Sequence, residues 1–247
     1  MKLVAVQMRS AAGDIEANIR RHIRFIELAA SEGGAAVFFP ELSITGYEPG
    51  LAQGMAMTLE DARLGVFQAL SDRHQMLIAV GAPYQGHQGV EIGMFAFRRG
   101  EAPTVYSKQI LHADELPFFA AGGKSAAFHL GGEVIAPAIC YESLQESHVR
   151  AAADGGATVY LASVAKSARG VDSAYRHYPA IAQRHRLTVM MSNSVGPADD
   201  FVATGCSAAW NEEGALVCHA DAEGEAVVVY DLAAREGRVL LPEIGIQ

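Results

Sequence analysis

Three polar residues of unlike chemistry each stand at the end of an apolar run. Glu41 follows VFFP in VFFPELSITGY (37–47), Lys108 follows the run in TVYSKQILHADELPFF (104–119), and Cys140 closes VIAPAIC (134–140). A carboxylate, an ammonium and a thiol brought by buried strands to their C-terminal ends are the parts of a nucleophilic hydrolysis on rigid supports. Each also has a plainer reading: Glu41 as a cap of the next segment, Lys108 as a solvated loop charge, Cys140 as a small core hydrophobe. Taken together with the words around them, the three stop being independent.

Other patterns carry less. AAGGKS (120–125) resembles the end of a phosphate-binding loop, but Phe118 stands where the first glycine is required. GCSAA (205–209) lacks the second glycine of a serine nucleophile elbow. The nine histidines include no HExxH and no paired Cys/His spacing, so neither a metal site nor a cofactor is expected.

The elements that must position these groups can be read from periodicity. Residues 2–8 alternate as a strand, Gly13-Asp14 offers a turn and an N-cap, and Ile15, Ile19, Ile23 and Ile26 form one helical stripe that Gly33-Gly34 ends. Ala36 to Phe39 read as a short buried strand. Further helices are expected near 58–74, 144–154 and 172–186. Strands are expected near 76–82, 92–97, 103–106, 126–130, 133–139, 157–161, 188–193, 201–210, 215–219 and 226–232. The late hairpin-like strands do not suit a doubly wound sheet, so this α/β chain is read as a two-sheet sandwich flanked by helices.

The 247 residues are half hydrophobic, enough for one large core, and 1–247 is read as a single domain whose tail, 233–247, lacks a period and is expected to pack on a neighbouring subunit. A net charge of -9 disfavours nucleic acid and anionic membrane surfaces as partners. Cys140, Cys206 and Cys218 are too few and too unevenly spaced for a disulfide framework. The start MKLVAVQM is unlike a secretion signal, and no apolar run is of membrane-spanning length, so a cytoplasmic location is expected.

FPELSITGY, YSKQILHADELPFFAAG and ICYES, in that order, resemble the three catalytic words of the nitrilase superfamily of carbon–nitrogen hydrolases. VMMSNSVG (189–196) and FVATGCSAAWNEEGALV (201–217) resemble its Asn-containing strand and closing hairpin, so the likeness covers most of residues 1–232. It implies a four-layer αββα sandwich of two mixed sheets, a Glu41, Lys108 and Cys140 triad, Glu115 as the second glutamate, and a homodimer or larger homo-oligomer. Two segments depart from the family pattern. AIAQRH (180–185) replaces a commonly acidic stretch at a subunit contact, and SVAKSARG (163–170) lacks the usual Pro/Trp pattern.

The resemblance implies an amidase acting on a small-molecule amide or carbamoyl compound, with a nitrilase, or a catalytically idle binding relative, as alternatives. Lys108 and the Tyr141 N–H would hold the oxyanion, and Lys108 would raise the thiolate fraction of Cys140. Glu115 is read as orienting Lys108 or the substrate. Tyr47, Phe118, Phe119 and Tyr141 are candidate pocket walls, with ordinary aromatic core as the other reading. Lys166 and Arg169 follow a predicted strand; Lys166 is a candidate reader of a substrate carboxylate, with a solvated loop charge as the other reading.

Overall fold

The computed structural model describes residues 1–123 and 127–242. In chain order it contains β1 (Lys2–Gln7), α1 (Ile15–Ser31), β2 (Gly34–Phe38), the short α2 (Ala52–Met55), α3 (Gly65–His74), β3 (Leu77–Gln85), β4 (Val90–Phe97), β5 (Thr104–Ser107), β6 (Phe128–Leu130) and β7 (Glu133–Ile139). There follow α4 (Glu146–Asp154), β8 (Val159–Val164), α5 (Ala168–His185), β9 (Thr188–Asn193), β10 (Val195–Ala198), β11 (Phe201–Thr204), β12 (Ala208–Trp210), β13 (Leu216–His219), β14 (Ala226–Asp231) and β15 (Glu236–Leu240).

Strand alternation sorts these elements into layers. Leu3 and Ala5 of β1, Val228 and Tyr230 of β14, Leu161 of β8 and Met190 of β9 share one core between two sheets. The opposite faces split: Val4, Val6, Val227 and Val229 pack with Phe25, Ile26 and Phe67 of α1 and α3, whereas Tyr160, Ala162, Val189 and Met191 pack with Val149, Tyr178 and Ile181 of α4 and α5. Three apolar interfaces between four layers are the αββα sandwich. Each buried Leu, Ile or Val side chain contributes roughly 1.5–3 kcal/mol to holding them together.

The first sheet has the order β15-β14-β1-β2-β3-β4-β5 and the second β13-β12-β9-β8-β7-β6. β1, β2 and β3 run parallel in one, and β7, β8 and β9 in the other. The C-terminal ends of the two parallel sets converge, because Met8 after β1 pairs in parallel with Ser194 after β9. Two buried hydroxyls fasten this edge: Ser192 donates to Val6 O at 2.6 Å and Phe38 O at 3.2 Å, and Ser163 donates to Phe39 O at 2.7 Å. The ends of β1, β2, β8 and β9 are thereby held at one seam, with β7 beside β8.

Several expectations need correction. The helix expected from 58 begins as a 3-10 turn at Ala62 and becomes α-helical at Gly65. The single strand expected over 201–210 is two strands in different sheets, β11 paired with β10 and β12 with β9, because the chain turns at Gly205 and Cys206, both at positive φ. The isoleucine stripe of α1 does face the core, Ile26 buried and Ile15, Ile19 and Ile23 partly so, but the fully buried residues also include the polar Asn18 and His22 beside Phe25 and Ala29. Part of the tail is an edge strand of this chain: β15 pairs antiparallel with β14. Residues 124–126 of the region expected to lead into β6, and 243–247 of the tail, lie outside the described residues.

The polar face of α1 explains itself at the turn after β2. Asn18 Nδ2 donates to Ile44 O (2.9 Å), and His22 Nε2 meets Ser43 Oγ at 2.9 Å. On the other side the turn lies against β3 at Gly81, where an added Cβ would sit 2.5 Å from Leu42 N and 2.6 Å from Pro40 O. Gly81→Ala must therefore displace the segment carrying Glu41. We expect a stability loss of about 1–3 kcal/mol in urea denaturation, the usual cost of overpacking, together with a loss of catalytic activity. A variant with the parent's midpoint would show that the turn does not rest on β3 as described.

Candidate active site

Cys140 lies directly after β7, Lys108 directly after β5, Glu41 three residues after β2, and Lys166 two residues after β8. The four side chains come from both sheets and meet at the seam. Lys108 Nζ donates to Glu41 Oε1 at 2.8 Å and to Glu115 Oε1 at 2.6 Å, and all three side chains are buried. Glu115 also accepts from the Tyr47 hydroxyl (3.1 Å) and from the His112 N–H (2.7 Å). Its carboxylate thus anchors the ammonium and closes its own loop. Glu41 Oε2 is buried with no hydrogen-bond partner among the described residues, an acceptor left open beside Cys140.

The backbone at Cys140 is strained. Cys140 has φ +47°, in the left-handed region that costs a non-glycine residue roughly 1–3 kcal/mol unless its surroundings impose it. Here they do. Ser143 Oγ donates to Cys140 O at 2.5 Å and meets Tyr178 OH at 2.7 Å, and the chain continues as a 3-10 turn over Cys140–Leu144. The Cys140 thiol, partly exposed, meets Ala165 O and Lys166 Nζ, each at 3.8 Å.

Burial pushes Glu41 up to about 7; the Lys108 ammonium opposes that rise and Glu115 adds to it. Burial would lower Lys108, yet the negative charge of Glu41, Cys140 and Glu115 holds it well above its ordinary value, so it remains a cation. Packing around the sulfur and the nearby Glu41 push Cys140 up to about 11, against the pull of Lys166 and Lys108. The sequence had suggested a thiol lowered by Lys108. The ammonium instead directs its bonds to two carboxylates, and the resting site holds a neutral thiol beside a carboxylate ready to take its proton.

Of the other sequence candidates, Tyr47 touches Glu115, and the Tyr141 ring lies 5.0 Å from that of His112, edge to face. Phe119 is packed in the core between the sheets, and Phe118 is 46 % exposed on the loop surface. The geometry therefore gives Phe119 the core role that was its alternative. Lys166 is 5 % exposed, which removes the solvated-loop reading. Arg169 stands in the first turn of α5. Among the described residues no group of three or more His, Cys, Asp or Glu side chains could hold a metal ion, and no helix is long and apolar enough to cross a membrane.

Two residues that periodicity did not single out build this site. Buried Glu142 accepts from Ile139 N (2.7 Å) and Tyr106 OH (2.7 Å) with one oxygen, and from Gln109 N (2.7 Å) and Ile110 N (3.2 Å) with the other. It ties the residue before Cys140 to the residues after Lys108. Asn193 accepts from Lys166 N (2.8 Å) and donates to Lys166 O (3.3 Å) and Gly205 O (2.7 Å), fixing the backbone after β8. The adjacency of Glu142 to Cys140 was visible in ICYES, but not that its carboxylate reaches a second strand. Glu142→Gln would turn an amide NH2 toward backbone donors, so we expect a loss of about 2 kcal/mol, typical of hydrogen bonds to a charged group. Equilibrium urea unfolding within about 0.5 kcal/mol of the parent would contradict the clamp.

The fold is shared with known proteins. The amidase from Nesterenkonia sp. superposes with a TM-score of 0.85 at 23% identity, over 94% of this chain and 90% of that one. A mutant of the Nesterenkonia sp. AN1 amidase in complex with butyramide gives 0.84 at 24% identity, over 95% and 92%. At these identities the likeness speaks of the fold. The glutamine-dependent NAD(+) synthetase of Aquifex aeolicus (strain VF5) is 24% identical over 247 residues, and that of Xylella fastidiosa (strain 9a5c) 25% over 248. Each match takes in 96% of this chain but 43% and 45% of the relative, so the chain spans less than half the length of these proteins. The model of the carbon–nitrogen hydrolase family matches residues 2–239, and with nearly the whole chain matched, the protein belongs to the carbon–nitrogen hydrolase family.

Proposed function

We propose that the chain is an amidase, hydrolysing the C–N bond of a small linear amide or carbamoyl compound through a thioester on Cys140. The observation that carries this reading is the buried Glu41–Lys108–Glu115 cluster beside Cys140, with one Glu41 oxygen free to take a proton. Mutants of the Nesterenkonia amidase, which shares the fold, have been captured with butyramide in one case and, in another, with the acetamide moiety of fluoroacetamide covalently added at the active-site cysteine.

The charges describe a path for the reaction. Glu41 takes the thiol proton as sulfur bonds to the amide carbon, and the carbonyl π electrons move to oxygen. Protonation of Glu41 leaves Lys108 with one anionic partner instead of two, so its ammonium is released toward the new oxyanion. The Tyr141 N–H lies in the first turn of the 3-10 helix, where backbone donors lack intrahelical partners, and is the second donor. Glu41 returns its proton to the leaving nitrogen as the C–N bond breaks, then takes one from the water that attacks the thioester and gives it to the sulfur once the C–S bond has broken. The products are a carboxylic acid and ammonia or an amine. Glu115 keeps Lys108 in place throughout. The intact cluster also opposes the idle-relative reading, since a buried ion group of this kind has no use in a pure binding surface.

An ammonia-release panel of aliphatic amides, carbamoyl amines, nitriles and glutamine tests the substrate class, with the amides expected to turn over fastest. Turnover of nitriles alone would replace amidase with nitrilase. The pH profile tests the proton carrier. Below about pH 7 Glu41 is protonated and cannot accept from sulfur, so kcat/KM for a neutral amide should rise with pH through about 7, by about tenfold per pH unit well below it. Glu41→Gln should lower kcat by at least about a hundredfold. A flat profile from pH 5 to 8, or a near-normal Glu41→Gln rate, would assign the proton to another group.

A further inference from the structure

Lys166 is a buried cation without a buried counter-ion. Its Nζ meets Cys140 Sγ at 3.8 Å, and among the described residues it forms no ion pair. Its place is not accidental. Asn193 fastens its N–H and C=O, Thr204 N donates to the same carbonyl at 2.9 Å, and its stem crosses Gly170 of α5, where an added Cβ would lie 3.1 Å from Lys166 Cβ and 3.3 Å from Cγ. An ammonium largely kept out of water and paired with no carboxylate is costly unless an anion forms beside it during the protein's work.

We propose that Lys166 is a second catalytic cation, which pairs with the Cys140 thiolate whenever the reaction creates it. The inference rests on Cys140 being the nucleophile. Counting Lys108, Lys166, Glu41 and Glu115 with a neutral thiol, the site carries two positive and two negative charges. Moving the thiol proton to Glu41 keeps that balance but transfers one negative charge from the neighbourhood of Lys108 to that of Lys166. The same thiolate reappears when water expels sulfur from the thioester and the C–S bond electrons return to it. Labour is thus divided between two lysines: Lys108 serves the oxyanion and Lys166 the sulfur. The other groups facing the sulfur are Glu41 from the turn after β2, Lys108 after β5, and the Tyr47 and Tyr178 phenols, the last from α5.

The test uses Lys166→Met and Lys166→Arg in the full chain. Removing an unpaired buried charge does not destabilise, so Lys166→Met should unfold in urea at or above the parent midpoint. Its rate of Cys140 alkylation by iodoacetamide at pH 7.5 should fall at least about tenfold and recover only at higher pH. Its kcat/KM should fall by about a hundredfold on neutral and anionic amides alike, in the range found when one stabilising donor is removed. Lys166→Arg, which keeps the charge, should retain alkylation within about threefold and most of the turnover; should Lys166→Met not fold, Lys166→Gln supplies the neutral side chain. Unchanged alkylation in a folded neutral variant would overturn the proposal. So would a loss confined to anionic amides, which would make Lys166 a reader of a substrate carboxylate. Failure of the underlying nucleophile reading looks different: in the parent, full alkylation of Cys140 would leave ammonia release intact.

Discussion

A lysine ammonium placed where Lys108 lies, out of reach of solvent, is untenable alone, and its two short bonds to Glu41 and Glu115 make it possible. Of those carboxylates Glu41 depends on the lysine more, since Glu115 also accepts from Tyr47 and His112 N. Glu41 arrives on a turn held by α1 and Gly81, Glu115 on a loop closed by its own bond to His112 N, and Lys108 on the end of β5. Removing Lys108 would leave two buried carboxylates without a cation, so the cluster requires the surrounding fold to be accurate at all three origins at once. That demand accounts for the buried polar residues Asn18, His22, Ser43 and Glu142, which would otherwise be poor choices for a core.

The seam between the sheets satisfies the demand. A purely apolar contact between two sheets is non-directional and tolerates sliding. The hydroxyls of Ser163 and Ser192 bond to carbonyls of the opposite sheet, and a hydrogen bond has a length and a direction. Register between the sheets is therefore set close to the site, two residues from Glu41 and three from Lys166. Precision at this edge and apolar packing elsewhere give the site the rigidity that a strained Cys140 needs.

In the proposed reaction, charge rather than a permanently ionised sulfur prepares the chemistry. Burial lifts both Glu41 and Cys140, so the resting pair is a carboxylate able to accept a proton near neutral pH and a thiol that keeps its own until attack. Net neutrality of the four charged side chains means that each step moves a charge over a few ångströms inside the protein rather than creating one there, which keeps desolvation costs small.

The amino-acid sequence by itself determined the alternation of strands and helices, the two-sheet architecture, and the placing of Glu41, Lys108, Glu115 and Cys140 in recognisable words, because these depend on local period and on short neighbouring segments. It did not reveal that the chain turns at Gly205 and Cys206 to send β11 and β12 to different sheets, since both halves carry the same strand-like residues and the choice rests on which sheet edge is open. Nor could it place Lys166, which reads as a loop charge until β8 and β7 lie side by side and Gly170 leaves room for its stem. The polar part of the buried face of α1 was hidden for the same reason: Asn18 and His22 are polar in isolation, and become interior residues through partners 26 and 21 positions away. The thiol's resting protonation was likewise decided only in three dimensions, because a pKa follows from the burial and the distances of charges that a linear sequence does not contain.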